Sequence, residues 1–186
     1  MGKIHTELDE RLCAFIGQQP MFFVATAPSG PGGHVNVSPK GYADTFAVLS
    51  PTSVAYLDLT GSGCETAAHL RENGRITVMF CAFDGPPKIV RLYGQGRLVA
   101  STDHDFAELA DRFPDRHPGA RAVIVVDLDR ISDSCGYSVP RLALVGERDI
   151  LDQSNERKGP EKLRHYRAGK NALSIDGLPA FVPETG

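Results

Sequence analysis

Between Met21 and Ser53 the chain offers two strand-like runs and no stretch in which a helix could cross from one strand to the next. Met21–Thr26 (MFFVAT) reads as a buried strand, and His34–Ser38 alternates valine with polar residues as a half-buried strand does. The intervening PSGPGG, residues 28–33, is a turn by composition, so the two runs form a hairpin. A doubly wound parallel sheet needs a helix after nearly every strand, and this opening excludes it. Pro39 has no N–H to donate and is expected to stop the second strand.

More strands follow at Ser53–Leu59, Arg75–Phe83, Lys88–Ala100 and Ala122–Leu128. Gly94 and Gly96 interrupt the longest of these, as glycines do at a bulge or a barrel corner. Helical spacing is confined to the periphery. Leu8, Leu12, Phe15 and Ile16 recur on one face behind Thr6, which is the expected N-cap. Glu65–Glu72 precedes the stop signal Asn73-Gly74, Asp103–Phe113 is a third helix, and Gly159–Ala168 is a short fourth with Pro160 in its first turn. From about residue 130 the chain reads as an irregular extension, with little from Leu178 onward to anchor it. The expectation is one domain over residues 1–186, mainly β with peripheral helices. A chain of that length buries roughly two thirds of its unfolded surface and needs no disulfide or metal to fold.

Several function classes drop out. Net charge is −3 with no segment that concentrates Lys and Arg, so nucleic acid is not an expected partner. No run of 18 apolar residues occurs, and Met1–His5 leads into none, so neither a membrane nor a secretory route is expected and the localisation reads as cytoplasmic. The four cysteines show no zinc-ligand spacing. There is no HExxH and no GxSxG, which removes the common metal and serine hydrolases.

Two segments carry candidate chemistry. A strand delivers Thr60-Gly61-Ser62-Gly63 directly to a helix start, where unpaired amides, glycine and hydroxyls suit a phosphate or another anion. Simple N-capping explains the same residues. Gly61-Ser62-Gly63-Cys64-Glu65-Thr66 lacks the third glycine of a dinucleotide fingerprint. In the second segment Asn36 and Ser38 share one face of a strand and Val35 and Val37 the other, ahead of Pro39-Lys40-Gly41. That polar row could line a pocket for a flat ring, or be an ordinary half-solvated strand. Lys40 could meet an anion or lie in solvent.

The order of the hairpin, HVNVSPKG, SVAYLDLTG, the helix, LRENGRITVMF and RLYGQGRLV is similar to the pyridoxamine 5'-phosphate oxidase-like family, from about Leu12 to Val126. The resemblance implies a split β-barrel of the FMN-binding type. It implies a homodimer with FMN at the subunit interface and a small-molecule substrate. It further implies ring contacts from Val35, Asn36, Val37, Ser38, Pro39 and Lys40. Phosphate contacts would come from Leu59, Thr60, Gly61, Ser62 and Thr66, helped by a basic residue such as Arg71, Arg75 or Arg91. The chain departs from the true oxidases: Glu65 and Thr66 stand where they carry an Arg-Lys pair, Val35 stands where they carry a phosphate-contacting Arg, and their C-terminal substrate motif is absent. What remains is an FMN-dependent oxidoreductase of unidentified substrate. The alternatives are deazaflavin F420 in place of FMN, or a ligand-binding module of the same fold without turnover. No general base is legible. Cys135 and Tyr137, in the turn-rich SCGYSVP, are further candidates for the pocket wall.

Overall fold

The structure, a computed structural model, describes residues 2–114 and 117–181. Eight strands form one antiparallel sheet: β1 (Ile4–His5), β2 (Phe22–Thr26), β3 (Asn36–Lys40), β4 (Phe46–Ser50), β5 (Ser53–Leu59), β6 (Arg75–Cys81), β7 (Ile89–Ala100) and β8 (Ala120–Ser134). Their spatial order is β3-β2-β6-β7-β8-β5-β4, with β1 added alongside β8. The two ends of that order meet. Phe22 of β2 lies 5.1 Å from Phe46 of β4 and 5.4 Å from Tyr56 of β5, and Phe46 lies 5.0 Å from Phe80 of β6, ring centroid to ring centroid. The sheet is therefore rolled around an aromatic and aliphatic core, as the expected split barrel requires.

Alternation makes this curl possible. Along β2 Phe22, Val24 and Thr26 are buried, and along β6 Ile76, Val78 and Phe80 are. Each such large apolar side chain stabilises the fold by about 1.5–3 kcal/mol relative to leaving it in water. The longest strand pair bends at Tyr93/Gly94, where the register with β8 shifts by one. A Cβ on Gly94 would stand 2.0 Å from the carbonyl oxygen of Asp127, so only glycine allows the approach.

Four helices decorate the barrel: α1 (Glu10–Gly17), α2 (Glu65–Glu72), α3 (Phe106–Ala110) and α4 (Ile150–Lys170). α1 is capped by Asp9, whose carboxylate accepts the Leu12 N–H at 2.8 Å, three residues beyond the expected cap at Thr6. Its Leu12 and Ile16 plug one end of the core. α2 matches its expected bounds. α4 breaks at Gly159 (φ 68°), and Pro160 opens its second half, so the expected short helix is the latter part of a longer element.

Other expectations need correction. Pro39 does not end its strand. β3 runs on to Lys40 because it is an edge strand, where a missing N–H leaves no ladder bond unmade. β4 has no counterpart in the sequence reading. The region after residue 130 is regular over Ile131–Ser134, the end of β8, and again over α4. The segment up to Phe181 is anchored, since Phe181 is buried, its N–H donates to the Asn171 carbonyl at 3.0 Å, and the Arg121 guanidinium lies 4.7 Å over its ring, whereas residues 182–186 of the expected loose tail lie outside the described residues. No described helix is long and apolar enough to cross a membrane.

Candidate functional site

A cleft of about 840 Å³ opens between the polar face of β3, the end of β5, the mouth of α2 and the strap 144–148 that leads into α4. The size suits a drug- or cofactor-sized molecule. Both candidate segments reach it. Ser38, Pro39 and Lys40 line one wall, and Leu59, Gly61 and Thr66 the opposite end. Asn36 stands behind Ser38, as described below. Val35 and Val37 expose 71 % and 63 % of their surface on the other face of the edge strand.

The floor is a buried ion triad. Asp58 of β5 accepts from Lys40 Nζ at 3.1 Å and from Arg121 Nε at 2.7 Å. Burial pushes the Asp58 carboxyl up, but the charges of Arg121 and Lys40 and their hydrogen bonds outweigh it and hold it at about 2. Lys40 is therefore drawn into the cleft and lies 5.8 Å over the Tyr56 ring. Arg121 also donates to the Asn171 side-chain oxygen (2.8 Å) and the Gly63 carbonyl (2.7 Å).

The mouth of α2 is furnished from within the chain. Asn171 Nδ2 donates to the Gly61 carbonyl at 3.0 Å, and Cys64 N–H donates to the carboxylate of its neighbour Glu65 at 3.1 Å. The Cys64 thiol donates to the Leu173 carbonyl at 3.2 Å, and burial raises its pKa to about 11. The first-turn amides of α2 have no acceptor within the helix, yet an acid stands beside them. Thr60 is buried elsewhere: its hydroxyl donates to the Gly119 carbonyl at 2.8 Å and accepts from Arg167 Nε at 2.9 Å. Ser62 is exposed beside the turn. Arg91 does not line the cleft and donates to Ser134 Oγ at 3.1 Å, while Arg75 is tied to Asn73 and Pro28.

Behind Ser38 runs a polar chain. Ser38 Oγ donates to Asn36 Oδ1 at 2.9 Å. Asn36 Nδ2 donates to the hydroxyls of Thr26 and Thr66, each at 3.1 Å. Thr26 Oγ1 meets His69 Nδ1 at 2.9 Å. His69 is fully buried and its Nε2 has no partner among the described residues. Burial lowers its pKa and keeps it neutral.

At the entrance Tyr42 adopts φ 62°, a region that costs a non-glycine residue about 1–3 kcal/mol. It is held there by stacking on His117 (4.8 Å between centroids) and by donating its hydroxyl to the Arg148 carbonyl at 2.8 Å. His117 in turn sits between Asp152 (2.6 Å) and Asp44 (3.2 Å). The strap is pinned again where Ala43 N–H donates to Glu147 at 3.0 Å. Cys135 and Tyr137 are exposed and do not line the cleft.

Asp58, Arg121, Tyr42 and the strap are functional-site elements that sequence reasoning missed. Charged residues inside the apolar runs SVAYLDL and ARAVIVV were the available signal for the first two.

The family model described as pyridoxamine 5'-phosphate oxidase matches residues 8–135. The chain belongs to the pyridoxamine 5'-phosphate oxidase family. A pyridoxamine 5'-phosphate oxidase family protein of Aspergillus flavus, ustO, is 42 % identical over 200 aligned positions, covering 97 % of this chain and 78 % of that protein. Among solved structures, HupZ of Group A Streptococcus superposes with a TM-score of 0.52 at 17 % identity over 73 % of this chain and 99 % of its own. A protein of Lactobacillus delbrueckii described as a pyridoxamine 5'-phosphate oxidase by inference gives 0.51 at 19 % identity over 68 % and 94 %. At that identity the likeness establishes the shared fold.

Proposed function

We propose that this pyridoxamine 5'-phosphate oxidase family member is a flavin-dependent oxidoreductase that binds FMN in the cleft between β3 and α2 and acts on a small organic substrate. The observation that carries the reading is convergence. Two segments apart in sequence, one a polar edge-strand face and the other a strand-to-helix turn, open on one cleft of about 840 Å³.

The ring half of FMN fits. β3 is an edge strand, so backbone groups on its outer side are free to meet the heteroatoms of a flat ring, and Ser38, Pro39 and Lys40 lie beside them. The phosphate half fits less well. It would rest on the first-turn amides of α2, on Gly61 and on Ser62, with Leu59 and Thr66 behind, while Glu65 stands against it. Thr60 and Arg91 serve the scaffold rather than the ligand in this reading.

Bound flavin supplies hydride and single-electron chemistry. The chain's own residues position it. Ser38 has its only hydrogen committed to Asn36, so toward the cleft it offers an acceptor. Asp58, held at about 2, is ionised at neutral pH and serves as an anchor for Lys40 and Arg121, not as a proton acceptor. Tyr42 and the strap line the entrance. Val35 and Val37, exposed on the outer face of β3, would be covered by a second copy in a homodimer.

The test is mass spectrometry of the small molecule released from freshly purified protein, followed by anaerobic addition of NADPH. FMN in the released fraction, bleached on reduction, supports the reading. F420 would replace the cofactor, slow bleaching with every donor would make the protein a binding module, and release of nothing from a protein that also takes up no flavin would overturn the proposal.

A further inference from the structure

A second cleft, of about 970 Å³, is bounded by residues 100–103 after β7, by α2 and by the second half of α4. Arg121 lines both clefts and marks the wall between them. The chain as a whole carries a net charge of −3, yet this hollow gathers Arg71, Arg121, Lys158, Lys162, Arg164 and Arg167 against two carboxylates, Asp103 and Glu161. Asp103 is already spent as an acceptor for the Ala100 N–H at 2.8 Å. Arg121 is matched by Asp58. The surplus is Arg167 and the rim.

Arg167 is the informative member. It is half-buried, and its guanidinium bonds only neutral acceptors, the Thr60 hydroxyl at 2.9 Å and the Ala120 carbonyl at 3.2 Å. Among the described residues neither it nor Arg71, Lys162 or Arg164 has an ion pair. Burial, and then the like charge of Arg121, push its pKa down, and the charge of Asp58 only partly offsets them, so a bound anion would relieve the guanidinium. A half-buried cation without a counter-ion is an expensive arrangement. Lys162, Arg164 and Arg167 of the second half of α4, and Lys158 just before the break at Gly159, all line this hollow. Phe181 and Tyr166 give the hollow apolar wall.

We propose that the second cleft binds an organic phosphate, its phosphoryl oxygens on Arg167, Arg164 and Lys162 and its organic part against Phe181. The assignment does not depend on a flavin in the first cleft. Guanidinium groups in a shared, partly desolvated hollow form short charge-assisted hydrogen bonds to phosphate oxygens, and a volume of about 970 Å³ accommodates a molecule of nucleotide size.

Calorimetric titration of the intact protein with ADP, inorganic pyrophosphate and adenosine at low salt tests this. ADP is expected to bind saturably and more tightly than pyrophosphate, and adenosine not at all. The double variant Lys162→Glu/Arg164→Glu alters two exposed side chains that bond no other described side chain. It is expected to weaken ADP at least tenfold, the loss of about one charge-assisted hydrogen bond, with unchanged thermal unfolding. Saturating FMN is expected to leave ADP affinity unchanged. Absence of saturable ADP and pyrophosphate binding would overturn the proposal. So would ADP binding that FMN displaces and the double variant leaves intact, since that would put the phosphate in the first cleft.

Discussion

Arg121 Nε donates to Asp58 Oδ2 at 2.7 Å, and both side chains are 4 % exposed. The two residues lie on neighbouring strands, β5 and β8, at the point where Asp58 pairs with Ala122 and the register then shifts. Their bond fixes the floor of the first cleft and, through the Gly63 carbonyl and Asn171, the turn into α2.

Breaking this pair is expected to cost about 3–5 kcal/mol, because Asp58→Asn strands a buried guanidinium. For a chain of this size that is a fall in Tm of about 10 °C. Thermal unfolding at pH 7 checks it, and a fall of a degree or two would mean that Arg121 finds solvent. The same pair sets an acid limb. The carboxyl is held at about 2 in the fold, against an ordinary value of 3.8, so its contribution is complete above pH 3.8 and is lost as pH falls toward 2. Wild-type protein is expected to lose about 2 kcal/mol more than Asp58→Asn across that window.

His69 acts at milder pH. Its folded pKa is depressed by burial, so between that value and the ordinary 6.5 the unfolded chain binds the extra proton. Stability is expected to be full above pH 6.5 and to decline as pH falls below it. His69→Gln, which keeps a polar group toward Thr26, is expected to flatten the decline. Denaturant titrations at pH 7.5 and 5.5 measure this, and parallel losses in both proteins would contradict the assignment to His69.

Under the proposed FMN binding, Glu65 is expected to set the preference between phosphorylated and unphosphorylated flavin. Its carboxylate caps the Cys64 N–H at the mouth where the FMN phosphate is proposed to rest. Glu65→Gln removes a like charge and is expected to strengthen FMN about tenfold while leaving riboflavin unchanged. Fluorescence titrations of the two ligands separate these outcomes, and equal changes for both would move the phosphate away from α2.

Thiol chemistry is expected to divide sharply. Cys64 is buried, bonded to the Leu173 carbonyl and raised to about 11, whereas Cys135 is exposed. Iodoacetamide at pH 8 should label Cys135 in the folded protein and reach Cys64 only on unfolding. Mass mapping after brief exposure reads this, and early label on Cys64 would mean that segment 171–181 detaches readily.

The parts of the fold written locally are legible in the sequence. α2 is legible to the residue because a strand, a glycine turn and the stop signal Asn73-Gly74 frame it. The bend at Gly94 is legible because a glycine inside a long apolar strand has few other uses. β4 is not, since FAVLS is short, lacks alternation and follows a 3₁₀ turn at Ala43–Thr45. The first half of α4 is hidden for a related reason: after Ile150 and Leu151 no large apolar residue recurs until Leu163, so no helical stripe appears.

The site is legible only on its two local segments. Ser38, Lys40, Gly61 and Thr66, which the two segments singled out, line the first cleft. Thr60 does not, because whether a hydroxyl faces a ligand or Gly119 depends on a contact 59 residues away. The partnership of Asp58 with Arg121 spans 63 residues, and the cations of the second cleft come from α2, β8 and α4. Four of these charges lie within ten residues of one another on α4, and folding brings Arg71 and Arg121 to them.

The central claim is that a flavin ring lies against Ser38 in the first cleft. Ser38→Phe, which puts a large ring into that space, tests it most directly through titration with FMN and riboflavin followed by visible absorbance and fluorescence. The account predicts at least a hundredfold loss of both ligands with thermal unfolding within a few degrees of wild type. Undiminished flavin binding by the folded variant would contradict it.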